Sequence, residues 1–450
     1  MSNFGQRIAN EFSGLDLGDR RLDERGRTLV AALAARPSVG SPQVLDSAEL
    51  ESFYRFVNNK HVSLKSLLAS HVEATRARLA GHSRVVVAHD TTDFRFSDEA
   101  PREGLGPMDN GGQGFYAHVS LVAMSHRQAA GVAAVETWTR EPKKPGAKKP
   151  TPHERYIAED KEPLRWMRAV REVERRFAGE TELVHVMDRE ADDYNILSEL
   201  VVNQFAFVVR ASYDRRLAAE QSGQFLKSFA AGLEVRNERE VRLSSRRKNR
   251  PEKNCKKFPP RKMRVAQLTF ASASIVLQRP DHSNRDLPAT LALNVVRVIE
   301  RNPPEGCVPV EWFLLTDQPI ETDEQVLQVV DWYRTRWLIE EYFKALKTGC
   351  AFEKRQHESR ASLENALGVF IPIAWALLRL RTAARDPEMS KRPATEFLSP
   401  TQLAILRAKA KSTLAADLTV RGAMLALARY FGGHLASNGE PGWQVLGRAL

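Results

Sequence analysis

The pattern of hydrophobic and polar positions changes character twice along the 450-residue chain. Up to about residue 70, apolar residues recur at helical spacing in "DRRLDERGRTLVAALAARP" and "SAELESFYRFVNN". From about residue 80, short β-branched runs predict strands, and from about residue 322 the helical spacing returns. The chain is therefore expected to have helical ends and an α/β middle.

The order of elements in that middle part favours one fold class. Its predicted elements are the strands "SRVVVAHD", "GFYAHVSLVAM" and "AAGVAAVETW", the helix "EPLRWMRAVREVERRF", the strand "TELVHVMDRE", the helix "DYNILSELVVN" and the strand "FAFVVRAS". Three strands followed by α/β alternation are typical of an RNase H-like domain, here a mixed five-stranded sheet covered by helices. Four further strand-like runs predict a β-rich insertion at about 215–320.

These patterns predict three domains. They are a helical N-terminal domain at 1–75, an RNase H-like catalytic domain with its insertion at 76–375, and a helical C-terminal region at 376–450. The apolar run "ALGVFIPIAWALL" (366–378) has 13 residues, which is too few to span a bilayer, and predicts a buried helix. The N-terminus lacks the apolar core of a signal peptide, so a cytoplasmic protein without a membrane partner is expected.

Net charge indicates which kinds of partner the protein could bind, and the cysteine content indicates the redox state of its compartment. A net charge of +11 and a pI near 9.6 suit nucleic acid, an anionic membrane surface or an acidic protein. The segment 246–262 carries nine Lys or Arg residues against one Glu, and either a disordered charge run or a DNA-facing loop would explain it. Three scattered cysteines argue against a disulfide framework and for a reducing compartment.

Two aspartates follow apolar runs in the predicted sheet. Asp90 ends "SRVVVAHD", and Asp188 follows "TELVHVM". An aspartate in such a place commonly forms a turn or caps a helix. Two of them on adjacent central strands would repel each other unless a divalent cation such as Mg²⁺ or Mn²⁺ lay between them. Further acids in these segments are Asp93, Glu190 and Asp192.

The segment "YRTRWLIEEYFKALK" (333–347) is predicted to be one helix with a sorted polar face. At roughly 100° per residue, one narrow strip contains Tyr333, Arg336, Glu340 and Lys347. The opposite arc contains Ile339, Tyr342, Phe343 and Leu346. A solvated face with spaced ion pairs would explain the strip. If the segment instead supplies a third carboxylate, the shared strip selects Glu340 over Glu341.

The same segment contains Y-x2-R-x3-E-x6-K, which resembles the signature of the YREK group of bacterial insertion-sequence transposases, of the insertion-sequence-4 type. The segments "AHDTTDF" and "VMDREADDYNIL" resemble those that bear the first and second catalytic aspartates of that family. The resemblance implies a metal-binding catalytic triad of Asp90, Asp188 and Glu340. It also implies two Mg²⁺ ions per site, for which Mn²⁺ is expected to substitute.

The resemblance also implies a set of DNA-binding residues. Tyr333, Arg336, Lys347 and, with them, Lys344 would hold the phosphates around the scissile bond. Arg210 would contact DNA. Trp312 would stack on a base flipped out of the transposon end, although its apolar strand alone favours an ordinary core tryptophan.

The function implied is metal-dependent cleavage, hairpin formation and strand transfer at the inverted-repeat ends of an insertion sequence. The implied partners are double-stranded DNA, namely the transposon ends and the target, and a second copy of the chain in a synaptic homodimer. The N-terminal domain at 1–75 would bind the transposon ends, and the C-terminal region at 376–450 would serve dimerisation. Two alternatives stay open. One is a domesticated nuclease of the same fold that does not integrate DNA, and the other is a non-catalytic DNA-binding protein.

Overall fold

The computed structural model describes residues 8–109, 111–124, 127–142, 164–177, 179, 181–218, 223–243, 260–281, 283–411 and 413–449. The chain divides into two compact units. Unit 1 comprises Met1–Ala147, Ala169–Glu182 and Trp337–Leu450, and unit 2 comprises Lys148–Arg168 and Leu183–Arg336. The predicted domains at 1–75, 76–375 and 376–450 follow other boundaries and stay a prediction, because compactness does not test which segment binds DNA or forms dimers.

Helices dominate both ends of the chain, as the hydrophobic spacing predicts. The α-helices are α1 (Arg20–Ala35), α2 (Ser41–Val44), α3 (Ser47–Val57), α4 (Leu64–Arg78), α5 (Leu164–Phe177), α6 (Tyr194–Val202), α7 (Leu226–Ala231), α8 (Asp323–Thr335), α9 (Trp337–Lys344), α10 (Arg360–Ala383), α11 (Pro400–Lys409), α12 (Val420–Tyr430) and α13 (Trp443–Ala449). A π-turn at Ala345–Gly349 follows α9, and short 3-10 turns lie at Arg189–Ala191, Phe352–Lys354, Met389–Lys391, Ala394–Glu396 and Ala436–Asn438.

The strands occupy the predicted middle part. They are β1 (Arg84–Phe96), β2 (Gly106–Pro107), β3 (Gln113–Ala123), β4 (Ala129–Trp138), β5 (Glu182–Met187), β6 (Phe207–Arg210), β7 (Asn237–Leu243), β8 (Arg264–Gln278), β9 (Thr290–Arg301) and β10 (Glu311–Thr316). In unit 1, β3 pairs antiparallel with β1, with β4 and, at one end, with β2.

The described strands of unit 2 form one mixed sheet in the order β5-β6-β10-β9-β8-β7. Strands β5 and β6 are parallel, and the remaining neighbours are antiparallel. The mixed α/β character of the predicted fold is therefore confirmed, and the sheet is larger than the five strands predicted for the core alone. The strands of the predicted insertion continue the sheet because β10 pairs with β6, whose hydrogen-bonding groups on that side would otherwise be unpaired.

Helix α10 forms much of the core of unit 1. It packs on α4 and β4, and its buried residues include Leu363, Phe370 and Leu377. With 24 residues, α10 is long and apolar enough to cross a membrane by length and composition. The helix is thus longer than the 13-residue apolar run from which it was predicted. Its most apolar window is 83% buried within the protein. Burial, not length, identifies α10 as a core helix.

The C-terminal helix α13 docks on the π-turn that follows α9. The contact depends on Gly447, because a Cβ atom there would lie 2.0 Å from the carbonyl oxygen of Gly349. No side chain larger than hydrogen fits at that distance without a shift of the backbone. The end of the chain thus supports the turn that carries Lys347.

A buried charged cluster ties the N-terminal segment to α4 and β4. The Glu11 carboxylate accepts hydrogen bonds from His71 Nδ1 at 2.6 Å and from Arg78 Nη1 at 2.7 Å. The backbone N–H of Val132 donates to His71 Nε2 at 3.1 Å, so the proton of the neutral ring lies on Nδ1. Burial alone would raise the pKa of Glu11, but the hydrogen bonds from His71 and Arg78 and the charge of Arg78 outweigh it and lower that pKa to about 2.

Glu11→Gln is expected to lower the free energy of unfolding by about 3 kcal/mol at pH 7, because the pKa falls from 4.5 in the unfolded chain to about 2 in the folded one. A depressed carboxylate pKa stabilises the fold fully above pH 4.5, and this stabilisation is lost as the pH falls toward 2. The difference between wild type and variant should therefore shrink from pH 7 to pH 3 in denaturant titrations. Glu51→Gln, which breaks an exposed pair with Arg55, is the control and should change little. A difference for Glu11→Gln that is the same at both pH values would contradict this account.

Candidate active site

Asp90 lies inside strand β1 and not at its end. The strand continues to Phe96, and Asp90 is paired with Val119 of β3. The sequence placed the end at Asp90 because the fully apolar run stops there, whereas the backbone ladder goes on through polar positions. The Asp90 side chain is partly buried, and its Oδ1 accepts a hydrogen bond from the N–H of Thr91 at 2.8 Å.

The predicted single helix at 333–347 is three pieces. Helix α8 ends at Thr335, α9 begins at Trp337, and the π-turn starts at Ala345. The N–H of Cys350 closes that turn on the carbonyl of Ala345 at 2.8 Å, which is the i to i+5 bond of a π-turn. The regular spacing of 100° per residue therefore fails beyond α9, because a π-turn holds more residues than an α-turn.

The predicted apolar arc is confirmed, since Ile339, Tyr342, Phe343 and Leu346 are all buried. The predicted polar strip is not one solvated face. Tyr333 is only 6% exposed, whereas Glu340 and Lys347 are partly exposed. The burial of Tyr333, whose ring lies against Trp312, therefore speaks against the solvated-face alternative at this position.

Lys347 forms an ion pair with strand β1. Its Nζ lies 2.9 Å from Asp93 Oδ1 and 3.7 Å from Glu353 Oε1. Asp93 Oδ2 in turn accepts from Arg95 Nε at 2.7 Å. Burial raises the pKa of Asp93, but the hydrogen bonds and charges of Lys347 and Arg95 outweigh it and leave that pKa below its usual value. Asp93 therefore stays ionised at neutral pH.

Helix α9 carries Glu340 and Lys344 and packs against β1. Lys344 Nζ donates to Glu341 Oε1 at 2.6 Å and lies 5.2 Å from the ring centroid of Trp337. Glu341 also accepts from Arg381 at 3.1 Å. Of the predicted strip, Lys347 is therefore ion-paired, as the alternative expected, and Glu341, outside the strip, has a structural role.

In unit 2, Asp188 begins the turn that follows strand β5. It is the N-cap of the 3-10 turn Arg189–Ala191, and its Oδ1 accepts from the N–H of Glu190 at 2.8 Å. The cap was one of the sequence alternatives for a strand-end aspartate. It leaves capacity on the carboxylate for further ligands, because an ionised carboxylate has about four acceptor positions.

Three further predicted site residues of unit 2, Arg210, Tyr333 and Arg336, lie within electrostatic reach of Asp188 or of one another. Burial lowers the pKa of Arg210, and the charge of Arg189 lowers it further, while Tyr333 and Asp188 raise it. Burial raises the pKa of Tyr333 against the lowering charges of Arg336 and Arg210. Tyr333 therefore keeps its phenolic proton at neutral pH and can donate a hydrogen bond.

Trp312 belongs to β10 and is only partly buried, so it is not an ordinary core tryptophan. Its ring lies edge-on to Tyr333, with the ring centroids 5.3 Å apart. On the neighbouring strand, Arg210 Nη2 donates to the carbonyl oxygen of Glu311 at 3.1 Å. Unit 2 thus brings together Asp188, Arg210, Trp312, Tyr333 and Arg336 from separate elements.

Sequence reasoning missed the role of a buried ion pair beside this group. Asp192 is fully buried, accepts from Arg215 Nη2 at 2.6 Å, and accepts from the N–H groups of Ser212 and Tyr213 at 2.6 and 2.8 Å. These bonds fix the loop that follows Arg210 to the segment that follows Asp188. Asp192 was noted as an acid in the sequence, but its spacing did not indicate that Arg215, 23 residues away, would be its partner.

The carboxylates of the predicted triad are the oxygen ligands that Mg²⁺ prefers. Among the described residues, no group of three or more His, Cys, Asp or Glu side chains could hold a metal ion. Unit 1 offers two carboxylates, Asp90 and Glu340, on elements that pack together. Two carboxylates completed by substrate phosphates are a usual Mg²⁺ environment, so the donor set fits this ion.

Two sequence predictions fall wholly or partly outside the described residues. Most of the basic segment 246–262 is not described, nor is Cys255. Cys307 and Cys350 have free thiols.

Comparison with known proteins assigns two regions. Residues 6–62 match the family model "Transposase DNA-binding", and residues 164–371 match "Transposase DDE domain". The second match contains Asp188 and Glu340 but not Asp90. A cryo-EM structure of a piggyBac transposase synaptic complex with hairpin DNA matches with 9% identity and a TM-score of 0.38, over 92% of this chain and 81% of that one. The two family matches, in one chain, support a DDE transposase.

Proposed function

We propose that the chain is a cut-and-paste DDE transposase of the YREK group of the insertion-sequence-4 type, similar to the transposase of transposon 5. The observation that carries the proposal is the gathering of Asp188, Arg210, Tyr333 and Arg336 in unit 2, since the family resemblance implies a metal-binding role for Asp188 and DNA contacts for the other three. The family matches support the proposal by placing a DNA-binding region ahead of a DDE domain.

The proposed triad is Asp90, Asp188 and Glu340. Its carboxylates would hold two Mg²⁺ ions, or Mn²⁺ in their place, which when bound activate an attacking oxygen and stabilise a leaving one. Arg336, Lys347 and Lys344 supply cationic donors for the phosphates around the scissile bond. Tyr333, which keeps its proton, donates from a ring fixed by packing.

Trp312 presents a partly exposed indole next to Tyr333, and a DNA base could stack on it. Stacking on an aromatic face is worth about 1–3 kcal/mol per base. That is enough to offset much of the cost of unstacking the base when the DNA is bent into a hairpin.

The DNA partners are the inverted-repeat ends and a target duplex, and two protomers are proposed to pair two ends in the cytoplasm of a bacterium. The positive net charge suits this partner. Binding should weaken as salt is raised, because phosphate contacts release counterions.

The test is nicking of a duplex built from the inverted repeats that flank the gene. Wild-type protein with Mg²⁺ should cut one strand at the repeat boundary, and EDTA should stop the reaction. A scrambled duplex of equal length is the control. Binding without cutting under both Mg²⁺ and Mn²⁺ would reject the enzyme in favour of a non-catalytic DNA-binding protein.

A further inference from the structure

Lys347 is held in place before any DNA is present. Its ammonium nitrogen lies 2.9 Å from Asp93 Oδ1, 3.7 Å from Glu353 Oε1 and 5.6 Å from the ring centroid of Phe94. A lysine side chain is otherwise flexible over four carbons. These contacts, all within unit 1, limit where the ammonium can go.

Asp93 is itself fixed by a closed ring of charged groups. Its second oxygen accepts from Arg95 Nε at 2.7 Å, and the backbone N–H of Arg95 donates to Glu353 Oε1 at 3.0 Å. The four side chains are between 24% and 37% exposed. Asp93 therefore holds Lys347 from a defined point on β1.

Two uncommon backbone conformations bring the ring together. The π-turn carries Lys347, and Ala351 then adopts a left-handed conformation with φ of 47°, which is costly for a residue with a Cβ. Phe352 is fully buried and lies 4.9 Å from Phe94 between ring centroids, which anchors the 3-10 turn bearing Glu353. An exposed ion pair alone contributes too little to stability to explain such a local arrangement.

We propose that Asp93 is a positioning residue for Lys347, holding its ammonium where an N–H can reach a DNA phosphate. The inference rests on the proposed function, in which Lys347 grips a phosphate near the scissile bond. An ammonium has three donors, so Asp93 can occupy one while another meets the phosphate. The side chain of Lys347 is 24% exposed, which leaves access from solvent. Fixing the lysine in advance reduces the ordering cost when DNA binds.

A double-mutant cycle tests the proposal, with Asp93→Asn, Lys347→Ala and both together. Each protein is assayed for single-turnover nicking at saturating duplex and for equilibrium binding of the same duplex at fixed salt. Asp93→Asn should slow nicking by about 10- to 100-fold and weaken binding by about threefold, because a displaced cation misses the phosphate. In the Lys347→Ala background, Asp93→Asn should cost less than about twofold further in either assay. Asp109→Asn, which breaks the Arg140 pair in the same unit, is the matched control and should change neither.

The outcomes separate this inference from the proposed function. If Asp93→Asn reduced nicking and binding by the same factors in the Lys347→Ala background as in wild type, the positioning role would be overturned. An Asp93→Asn protein that binds or cuts better than wild type would also overturn it, by showing that Asp93 competes with phosphate. A wild type that binds but never cuts would reject the proposed function, while coupling in the binding cycle still decides for or against Asp93. No binding of DNA by wild type would overturn both. Thermal melting of each variant verifies that the losses do not come from unfolding.

Discussion

Glu340→Gln is expected to reduce Mg²⁺-dependent nicking of an end-bearing duplex by about 10²–10³-fold or more, while binding of that duplex stays within about threefold. An amide has nearly the shape of the carboxylate but lacks the charge that a divalent ion needs from its ligand. The side chain lies on α9, which packs on the strand of Asp90. Single-turnover nicking and equilibrium binding, measured on the same protein sample, separate catalysis from affinity.

Glu341→Gln is the matched control for this prediction. Glu341 is the adjacent acid, but its carboxylate is bound by Lys344 and by the mostly buried Arg381. Its loss should lower the melting temperature, because the mostly buried Arg381 loses its ion pair with Glu341, and should keep nicking within about tenfold of wild type. If Glu341→Gln abolished nicking and Glu340→Gln did not, the assignment of the third carboxylate would be wrong.

Trp312→Ala is expected to slow hairpin formation by about 10-fold or more, while first-strand nicking changes much less. Loss of base stacking removes about 1–3 kcal/mol, and only the sharply bent intermediate depends on the flipped base. The partly exposed ring against Tyr333 supports a stacking position in preference to a core one. Denaturing gels that resolve nicked and hairpin products over time measure both steps in one reaction.

Trp312→Phe tests whether an aromatic face is what matters, and should restore most hairpin formation. Equal losses of nicking and hairpin formation in Trp312→Ala would contradict the stacking role. Such a result would instead indicate that the indole supports Tyr333, because the two rings are in contact.

The sequence predicted most elements of the fold, because their hydrophobic periodicity is local. It misjudged features that depend on distant partners. β1 runs past Asp90 because β3 pairs with it as far as Phe96. The strands of the presumed insertion join the sheet of unit 2 through the pairing of β10 with β6. Neither register can be derived from one segment alone.

In the candidate site, too, the sequence predicted local features and missed those that depend on distant partners. The motif selected Tyr333, Arg336, Glu340 and Lys347 by spacing, although one regular helix does not carry them. The π-turn that places Lys347 beside Asp93 packs against α13 through Gly447, far along the chain. The charged groups around Lys347, namely Asp93, Arg95 and Glu353, are therefore evident from the structure and not from local spacing.

The central claim, that this chain cuts and rejoins DNA, is tested most directly by strand transfer. Wild-type protein is incubated in Mg²⁺ with a labelled end-bearing duplex and excess circular target, and covalent joining of the duplex 3′ end to the target is measured. We expect joined products with wild type and none with Glu340→Gln. End-specific cutting without any joining, with target in excess, would contradict the transposase and leave a nuclease of the same fold.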